Sequence, residues 1–292
     1  MRLPRCCGRA LGAAVLALAS TTARAFDLTP GELIAPRPGL NLLQLSYQQS
    51  TRGALFSDGE KVDDKTELTY RYLRLRVGRT FALRDTPGIF FVEQPIGSVQ
   101  PGGRLEPLKA SEGLADTTLL FALWPYTDRE RDRHLAIGGY LILPTGRYRH
   151  DQRINLGSNR FAAALQLGYH MALSPMLSWS SAWDVVTFGP NDAFGPRKRR
   201  LEQAPLYTVQ TGLQYRLNSR HAVAANLIHS EGGLVEVDRV SRRDRIDVDR
   251  YLLTASAETP NGRVSLQYGR DLRTRNGFLE EHRLLLRYAT FF

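Results

Sequence analysis

Apolar and polar side chains alternate along most of the chain after residue 40. This period of two is typical of β-strands, because successive side chains of a strand point to opposite faces. The segment 205–217 shows the pattern well, with Tyr207 and Val209 on one face. Thr208 and Gln210 lie on the other face, so the pattern predicts a strand with one apolar side and one polar side.

About twelve segments predict strands in this way. They are 40–50, 66–83, 88–97, 114–124, 134–144, 160–172, 176–188, 204–217, 221–230, 250–258, 263–270 and 282–292. Most are about nine to thirteen residues long, which suits a tilted strand crossing a membrane better than the five or six residues common in soluble sheets. Aromatic residues such as Tyr207 and Trp179 lie toward strand ends, where the interfacial girdles of membrane barrels place them.

The links between these segments alternate in length. Short links include 84–87, 173–175, 217–220 and 259–262, and long ones are 51–65, 98–113, 145–159, 189–203, 231–249 and 271–281. An outer-membrane barrel has this rhythm, with short periplasmic turns and longer external loops. The link 125–133 is the exception, because it is longer and more charged than a turn should be. The sequence therefore predicts an all-β fold, a closed antiparallel transmembrane β-barrel of about 12 strands, since an open edge would leave backbone groups unpaired in hydrocarbon.

The first residues have the layout of a cleaved signal peptide. Three arginines precede the apolar run Ala10–Ala19, and Ala23-Arg24-Ala25 supplies small residues at a cleavage site. We therefore predict a signal peptide at 1–25, a periplasmic arm or lumenal plug at 26–38, and the outer-membrane barrel at 39–292. Both cysteines lie in the leader, and four of the 39 basic residues leave with it, so the remaining net charge is about +6. That moderate balance is compatible with anionic lipid headgroups, and nucleic acid is not an expected partner of an exported protein.

The C-terminal segment has the pattern of a closing strand. Tyr288 and Phe292 share one face of an alternating stretch that ends the chain on an aromatic residue. This pattern resembles the insertion signal of outer-membrane barrels and implies the barrel assembly machinery as a partner. The alternatives are the edge strand of a soluble sheet and, for the whole chain, a periplasmic β-sandwich.

Two short motifs carry a family resemblance. The stretch Leu143-Pro144-Thr145-Gly146 and the later stretch Asn155-Leu156-Gly157-Ser158-Asn159 resemble motifs of the outer-membrane family named after the meta-pathway of phenol degradation. The resemblance covers nearly the whole chain after the leader. It implies a barrel of roughly twelve strands that acts as a transporter, without a demonstrated substrate. The chain departs from the family in carrying Arg147 and Arg149 where an acidic residue is common.

The same motifs predict a shaped external loop. Pro144 ends a strand, Gly146 and Gly157 permit tight turns, and Asn155 and Asn159 can bond nearby backbone groups. One interpretation is a loop folded into the lumen as a constriction or ligand gate. The other is a well-ordered external loop with no further role.

The inward faces of the predicted strands supply a candidate lumen lining. Its members are Arg160, Gln166, Asp184, Gln210, Gln214, Arg216, Arg283 and Arg287. A polar lumen with surplus arginine would favour anions, and carboxylates of aromatic or fatty acids would suit it. The alternative is that these arginines pair with Asp and Glu, as in any polar interior. Arg74 and Arg76 would join the lining only if a bulge near Leu73 changed the register, because Tyr70 and Tyr72 are assigned to the lipid face.

Other chemistry finds little support in the sequence. No metal-ligand spacing, nucleophile motif or phosphate-binding glycine loop is present, so no catalytic residue, metal or cofactor is predicted. The basic run Arg197-Lys198-Arg199-Arg200 could contact phosphates of lipopolysaccharide, or it could be a solvated loop.

Three functions remain open for such a barrel. The favoured one is an outer-membrane channel for small hydrophobic or aromatic compounds, anionic ones among them, by passive or ligand-gated diffusion. The second is a structural or surface-binding barrel whose interior is packed shut. The third, a lipid-modifying enzyme at the rim, would need a Ser/His pair at one girdle.

Overall fold

The computed structural model describes residues 29–292, and the predicted signal peptide lies outside them. Twelve long strands form one sheet. They are β1 (Asn41–Ser57), β2 (Thr66–Leu83), β3 (Thr86–Gly103), β4 (Thr117–Asp128), β5 (Arg133–Leu143), β6 (Ala162–Ala172), β7 (Leu177–Phe188), β8 (Leu206–Arg216), β9 (His221–Gly232), β10 (Ile246–Thr259), β11 (Gly262–Thr274) and β12 (Gly277–Phe291). Each strand pairs antiparallel with the next, and β12 pairs with β1 from Leu42–Phe291 to Phe56–Gly277. The predicted closed antiparallel barrel of about twelve strands is therefore confirmed.

The two ends of the barrel differ in their connections. Both ends of the barrel chain, at Asn41 and Phe292, meet at one end together with five short turns, and this is called the inner end. The other six links lie at the opposite, outer end, and all of them are long except 275–276 between β11 and β12. Since outer-membrane barrels have short periplasmic turns, the inner end is the periplasmic one. Within residues 29–292, no helix is long and apolar enough to span a membrane.

The alternation in the sequence becomes an alternation of environments. Leu43 and Leu45 of β1 are exposed on the outer wall, whereas Gln44 and Ser46 between them are buried inside the barrel. The same division holds on β8, where Tyr207 and Val209 face outward and Thr208 and Gln210 face inward. An apolar outer wall is what hydrocarbon requires, because lipid offers no partner to polar side chains.

Several predicted loops are instead paired backbone at the outer end. The strand β1 runs on to Ser57 and β12 begins at Gly277, within the predicted loops 51–65 and 271–281. Six short strands add to this rim, namely Glu60–Asp63, Ser111–Leu114, Asn191–Phe194, Arg199–Gln203, Val235–Val237 and Val240–Ser241. Above the hydrocarbon the outward face of a sheet need not be apolar, while Leu55 and Phe278 are buried on the inward face in an apolar cluster. Register shifts between Thr51 and Leu55 also interrupt the alternation, so the pattern gives no signal there.

The irregular link 125–133 proved to be a short turn after all. The strand β4 continues to Asp128 across a register shift between Leu123 and Tyr126, and only Arg129–Asp132 connects it to β5. The extra charge of this stretch therefore belongs partly to a strand end at the inner rim. This link is therefore a short turn like the others at the inner end, and the exception in the predicted alternation of short and long links disappears.

Candidate functional site: the lumen and its two closures

The barrel encloses a cavity of about 620 Å³ that reaches from the N-terminal segment to the outer loops. This is the size of many small-molecule sites, which lie between about 300 and 1,000 Å³. Its walls combine aromatic and aliphatic side chains with charge. Seven arginines line it, namely Arg37, Arg74, Arg76, Arg160, Arg263, Arg283 and Arg287, against the four carboxylates Glu32, Glu93, Asp116 and Glu258. The cavity therefore has both apolar surface and a surplus of positive charge.

Arg74 and Arg76 belong to this wall without the register change near Leu73 on which their predicted inward position depended. The pairing of β2 with β1 and β3 runs without a shift, so both arginines share the inward face with Tyr70 and Tyr72. The Arg74 guanidinium lies over the Tyr72 ring, 5.6 Å from the ring centroid. Tyr70 is buried in an apolar cluster at the outer end. The error came from assigning aromatic residues to lipid, whereas this lumen is partly apolar and holds them inside.

The wall of β2 and β3 carries a charge pair at mid-height. Arg76 Nη2 lies 2.9 Å from Glu93 Oε2, and the Arg76 guanidinium lies 4.0 Å above the Phe91 ring. Arg74 Nη1 donates to Gln48 Oε1 at 2.8 Å. Both arginines are thus held in place by the wall, with the Phe91 ring beside them.

Arg283 and Arg287 of β12 also line the cavity. Arg287 Nη1 lies 3.1 Å from Glu32 Oε1, a carboxylate of the N-terminal segment. Gln214 and Arg216 do not reach this cavity. They line a separate small pocket at the inner end, beside the turn between β6 and β7.

A hydrogen-bonded network fills the lumen beside β5 to β8. Gln166 Nε2 donates to Asp184 Oδ1 at 2.5 Å, and Gln210 Nε2 donates to Asp184 Oδ2 at 3.1 Å. The Tyr140 hydroxyl donates to Gln166 Oε1 at 3.2 Å. The buried carboxylate of Asp184 is therefore met by two amide donors, and the network fills the lumen beside β7 and β8, while Gln166 and Tyr140 also line the cavity.

Arg160 sits where the lumen meets the outer loops. It is buried, its Nη2 donates to the Gln203 side-chain oxygen, and its guanidinium lies 4.7 Å above the Phe188 ring. Burial lowers the pKa of this guanidinium to about 10, so the group stays charged at neutral pH. Its Nη1 has no hydrogen-bond acceptor among residues 29–292.

The loop 144–161, called the outer loop, is held down by one carboxylate. Asp116 Oδ1 accepts the Gly146 N–H at 2.9 Å, and Asp116 Oδ2 accepts the Ser158 N–H at 2.8 Å and the Ser158 hydroxyl at 2.5 Å. Gly146 of the first family motif and Ser158 of the second are therefore hydrogen-bonded to the same side chain, Asp116, which lies outside both motifs. Sequence reasoning missed Asp116, because nothing in its own surroundings marks it.

Gly146 and Gly157 are needed for close backbone approach. A Cβ on Gly157 would stand 2.5 Å from the Gly146 carbonyl oxygen, and a Cβ on Gly146 would stand 2.7 Å from Gly157 Cα. Pro144 follows the last residue of β5, as predicted from its missing donor. These residues bring the two arms of the outer loop together.

The asparagines of the second motif bond their own loop and its neighbour. Asn155 Oδ1 accepts the Arg149 N–H at 2.8 Å, and its Nδ2 donates to the Arg149 carbonyl at 3.1 Å. Asn159 adopts a left-handed conformation with φ of 54° and donates to Asn191 Oδ1 at 2.9 Å. Asn191 belongs to the next long link, so Asn159 joins two outer segments.

The outer loop also folds into the barrel mouth. Ile154 and Leu156 are buried in an apolar cluster with wall residues such as Leu68 and Val99. Leu156 and Ser158 line the outer end of the cavity. The outer loop therefore narrows the barrel mouth, and its role as a ligand gate stays a prediction.

The segment 29–40, called the N-terminal strap, crosses the lumen at the inner end. Arg263 Nη1 donates to the Pro30 carbonyl at 3.3 Å on one side, and Arg129 Nη2 donates to the Pro36 carbonyl at 3.2 Å on the other. Between them Leu33 is buried and accepts a hydrogen bond at its carbonyl from Trp124 Nε1 at 2.8 Å. The described part of the predicted arm thus lies inside the barrel.

A buried ionic cluster near the outer end had no sequence signal. Arg250 Nε lies 2.7 Å from Asp271 Oδ1, and Arg250 Nη2 lies 3.3 Å from Glu280 Oε2. Arg52 of β1 also faces Glu280, which is 0% exposed. The cluster joins strands on both sides of the β12–β1 seam, so its charges are balanced within the wall.

A Ser/His pair exists, but it faces inward. His170 Nδ1 lies 2.9 Å from Ser180 Oγ, and His170 Nε2 lies 3.6 Å from Asp132 Oδ2. His170 is 1% exposed. Ser180 pairs with His170 between β6 and β7, so its side chain also points into the lumen and away from lipid. The rim enzyme requires a pair open to lipid at a girdle, and this pair does not meet that requirement. Among residues 29–292, no cluster of three His, Cys, Asp or Glu side chains is arranged to hold a metal ion.

The remaining predicted residues lie on the surface. Tyr288 donates its hydroxyl to the Asn261 carbonyl at 2.7 Å at the inner rim, and Phe292 is exposed beside it. In the basic run, Arg200 pairs with Asp192 at 2.8 Å, while Arg197 and Lys198 are exposed at a hairpin tip. The insertion signal and the contact with lipopolysaccharide stay predictions.

Comparison with known proteins identifies a family that this chain matches. The family model described as "Putative MetA-pathway of phenol degradation" matches residues 58–288. The crystal structure of the COG4313 outer membrane channel from Pseudomonas putida F1 has a TM-score of 0.88 and 30% sequence identity, covering 91% of this chain and 100% of that one. No match was found among curated protein sequences.

More distant barrels match with lower scores. The KdgM porin in complex with disordered oligogalacturonate has a TM-score of 0.48 at 12% identity, covering 86% of this chain and 99% of that one. The translocator domain of the autotransporter NalP from Neisseria meningitidis has a TM-score of 0.47 at 11% identity, covering 98% and 96%. At these scores neither bears on the function of this chain. The family match and the COG4313 relative are sufficient, and the chain is an outer-membrane β-barrel that belongs to the phenol-degradation MetA-pathway family.

Proposed function

We propose that the protein is an outer-membrane channel for small aromatic and other hydrophobic compounds, carboxylates among them. The observation that carries the proposal is the cavity of about 620 Å³, which lies inside a closed barrel and combines apolar walls with surplus arginine. An aromatic acid is complementary to such a cavity, because its ring is apolar and its carboxylate is negative. The COG4313 relative, described as an outer membrane channel, supports the proposal.

The strap is the part that must move for solute to pass. It contains no long strand. Leu33 and Ala35 pack in an apolar cluster of the wall, and the polar ties before residue 37 are single hydrogen bonds and the ion pairs of Glu32. The outer loop, by contrast, narrows the other end as a fixed constriction. In such a channel, the outer loop would limit the size of the solutes that pass, and movement of the strap would determine how long the channel stays open.

The alternative of a structural barrel rests on a specific observation. The network of Asp184, Gln166 and Gln210 packs one side of the lumen with hydrogen-bonded side chains. If the strap never moved, it would occupy the inner end of the cavity permanently, and permeation would not depend on it. The two functions therefore differ in one measurable property, which is permeation that depends on the strap.

A reversible disulfide tests this dependence. Leu33 Cγ lies 3.3 Å from the place of a Cβ on Gly168, so cysteines at both positions are within disulfide reach. The chain after the leader has no cysteine of its own. The double variant Leu33→Cys, Gly168→Cys would be refolded into liposomes, and benzoate uptake would be measured before and after reduction.

We expect the oxidised protein to pass benzoate at least about ten times more slowly than the reduced one. Leu33→Cys alone, treated with the same oxidant, is the matched control and should not change. A gel on which the folded barrel migrates apart from the unfolded chain would confirm folding. A folded, reduced barrel that passes neither benzoate nor small neutral solutes would refute the channel and leave the structural barrel.

A further inference from the structure

Glu32 is the one carboxylate in the strap, and it contacts the lumen wall. Its Oε1 lies 3.3 Å from Arg76 Nη1 on β2 and 3.1 Å from Arg287 Nη1 on β12. Its Oε2 accepts the Thr29 N–H at 2.8 Å, within the strap itself. One carboxylate oxygen is therefore shared between two guanidinium groups from well-separated strands of the barrel.

The two arginines depend on Glu32 to different degrees. Arg76 keeps Glu93 as a second partner at 2.9 Å. For Arg287, Glu32 is the only carboxylate within ion-pair distance among residues 29–292, and its Nε lacks a hydrogen-bond acceptor there. The Arg287 side chain is only 12% exposed. Since a buried charge without a partner is strongly unfavourable, withdrawal of the strap would leave Arg287 in need of another anion.

The surroundings of this pair suit a ring as well as a carboxylate. Phe91 lies beneath the Arg76 guanidinium at 4.0 Å, and Leu285 and Leu42 line the same cavity. Guanidinium groups bind carboxylates through charge-assisted hydrogen bonds, and aromatic faces pack against flat rings. A small aromatic monocarboxylate would therefore make with this wall the ionic contacts that Glu32 makes, together with ring contacts that Glu32 cannot make.

We propose that Arg76 and Arg287 form a carboxylate-binding site that Glu32 occupies in the closed state as an internal ligand. A carboxylate solute that enters the cavity exchanges with Glu32 on these arginines, which removes the strap's ionic tie and opens the inner end. The solute is then both the cargo and the opening signal. This inference rests on the proposed channel function and adds a ligand class and a means of opening to it.

Single-channel recording of residues 26–292, the chain without its predicted signal peptide, in planar bilayers tests the exchange. The readout is the open fraction at constant potassium chloride, with benzoate or benzyl alcohol added at equal concentration. These probes share the ring, and only benzoate carries a carboxylate. We expect benzoate to raise the open fraction of the wild type at least about fivefold and benzyl alcohol to leave it unchanged.

Two variants remove the two sides of the exchange. Glu32→Gln should open the channel without benzoate and abolish the further response, because the internal ligand is lost. Arg287→Gln should also lose the response, because the site has lost a guanidinium. Glu106→Gln and Arg220→Gln make the same chemical changes at exposed positions and should respond like the wild type.

The outcomes separate this inference from the channel itself. If benzoate leaves the wild-type open fraction unchanged while the disulfide of the Leu33→Cys, Gly168→Cys variant still controls permeation, the internal-ligand inference is overturned and the channel stands. If no variant conducts, the channel fails. If Arg287→Gln does not fold, Glu32→Gln decides alone, since Glu32 lies outside the barrel wall, and an unchanged response in it would also overturn the inference.

Discussion

The outer loop and the N-terminal strap both cover the lumen, but they are attached in different ways. The outer loop is anchored by a carboxylate with three donors, by a glycine crossing without free space and by buried apolar side chains. The strap also buries Leu33 and Ala35 in an apolar cluster, and its root at 37–40 is bonded to Thr80. It has no backbone crossing like that of the outer loop, and its other polar ties are single hydrogen bonds to carbonyl groups and one shared carboxylate. Polar ties of the second kind exchange readily with water or solute, whereas backbone crossings do not. We therefore expect the outer loop to stay in place and the strap to move.

The largest expected effect is at the glycine crossing. Gly157→Ala would place a Cβ 2.5 Å from the Gly146 carbonyl oxygen, where only backbone could yield. We expect the free energy of unfolding to fall by about 3 kcal/mol, the upper range for overpacking. Denaturant unfolding of the refolded barrel in detergent micelles would measure it.

Gly139→Ala is the matched control for this substitution. Nothing lies within 4 Å of a Cβ at that position, so the same change should alter stability by less than about 0.5 kcal/mol. Equal effects of the two substitutions would show that the outer loop is not fixed by its crossing. The comparison between the two ends of the lumen would then lose its main support.

The second effect is at the carboxylate that anchors the outer loop. Asp116→Asn keeps one acceptor oxygen and turns an amide group toward backbone N–H donors. We expect a loss of about 2 kcal/mol in the free energy of unfolding, since hydrogen bonds to charged groups contribute more than neutral ones. Ser158→Ala removes one donor and leaves the carboxylate with both N–H groups, so it should cost about 1 kcal/mol. A larger loss for Ser158→Ala than for Asp116→Asn would contradict the anchoring role of Asp116.

The barrel and its closures were not equally predictable from the sequence. The strand number followed from alternation, because hydrocarbon outside and polar side chains inside impose a period of two on every spanning segment. The outer extensions of β1 and β12 carried no such signal, because their outward face lies beyond the hydrocarbon, Leu55 and Phe278 are buried on the inward face, and a register shift interrupts β1. Tyr70 and Tyr72 misled the assignment of a face, because an aromatic residue suits a partly apolar lumen as well as lipid.

The closures depend on contacts between distant positions. Asp116 meets Gly146 and Ser158, which lie 30 and 42 residues away. Glu32 meets Arg287 across 255 residues. Neither pairing leaves a local pattern, so the motif around Gly146 and Gly157 predicted a shaped loop but not its anchor. The segment 26–38 was recognised as an arm or a plug without its binding partners.

The third effect concerns opening rather than stability. Trp124→Phe keeps an aromatic ring in the apolar cluster around Leu33 and deletes the N–H that Leu33 accepts at 2.8 Å. Loss of one hydrogen bond contributes about 1 kcal/mol, which corresponds to a roughly fivefold rise in the open fraction. Recording in planar bilayers would measure it. In the oxidised Leu33→Cys, Gly168→Cys background the rise should vanish, and a rise that persisted there would mean that the wall rather than the strap had moved.

The smallest effect is expected where the strap leaves the lumen. Arg129 Nη2 donates to the Pro36 carbonyl at 3.2 Å from an exposed position in the turn between β4 and β5. Water can replace such a donor at little cost, so Arg129→Gln should change the open fraction by less than about twofold, or a few tenths of a kcal/mol. The same recordings would measure it beside Trp124→Phe. A change as large as that of Trp124→Phe would mean that the exposed contact of Arg129 with Pro36 holds the strap in place. The buried contacts of Leu33 and Glu32 would then no longer explain why the inner end is closed.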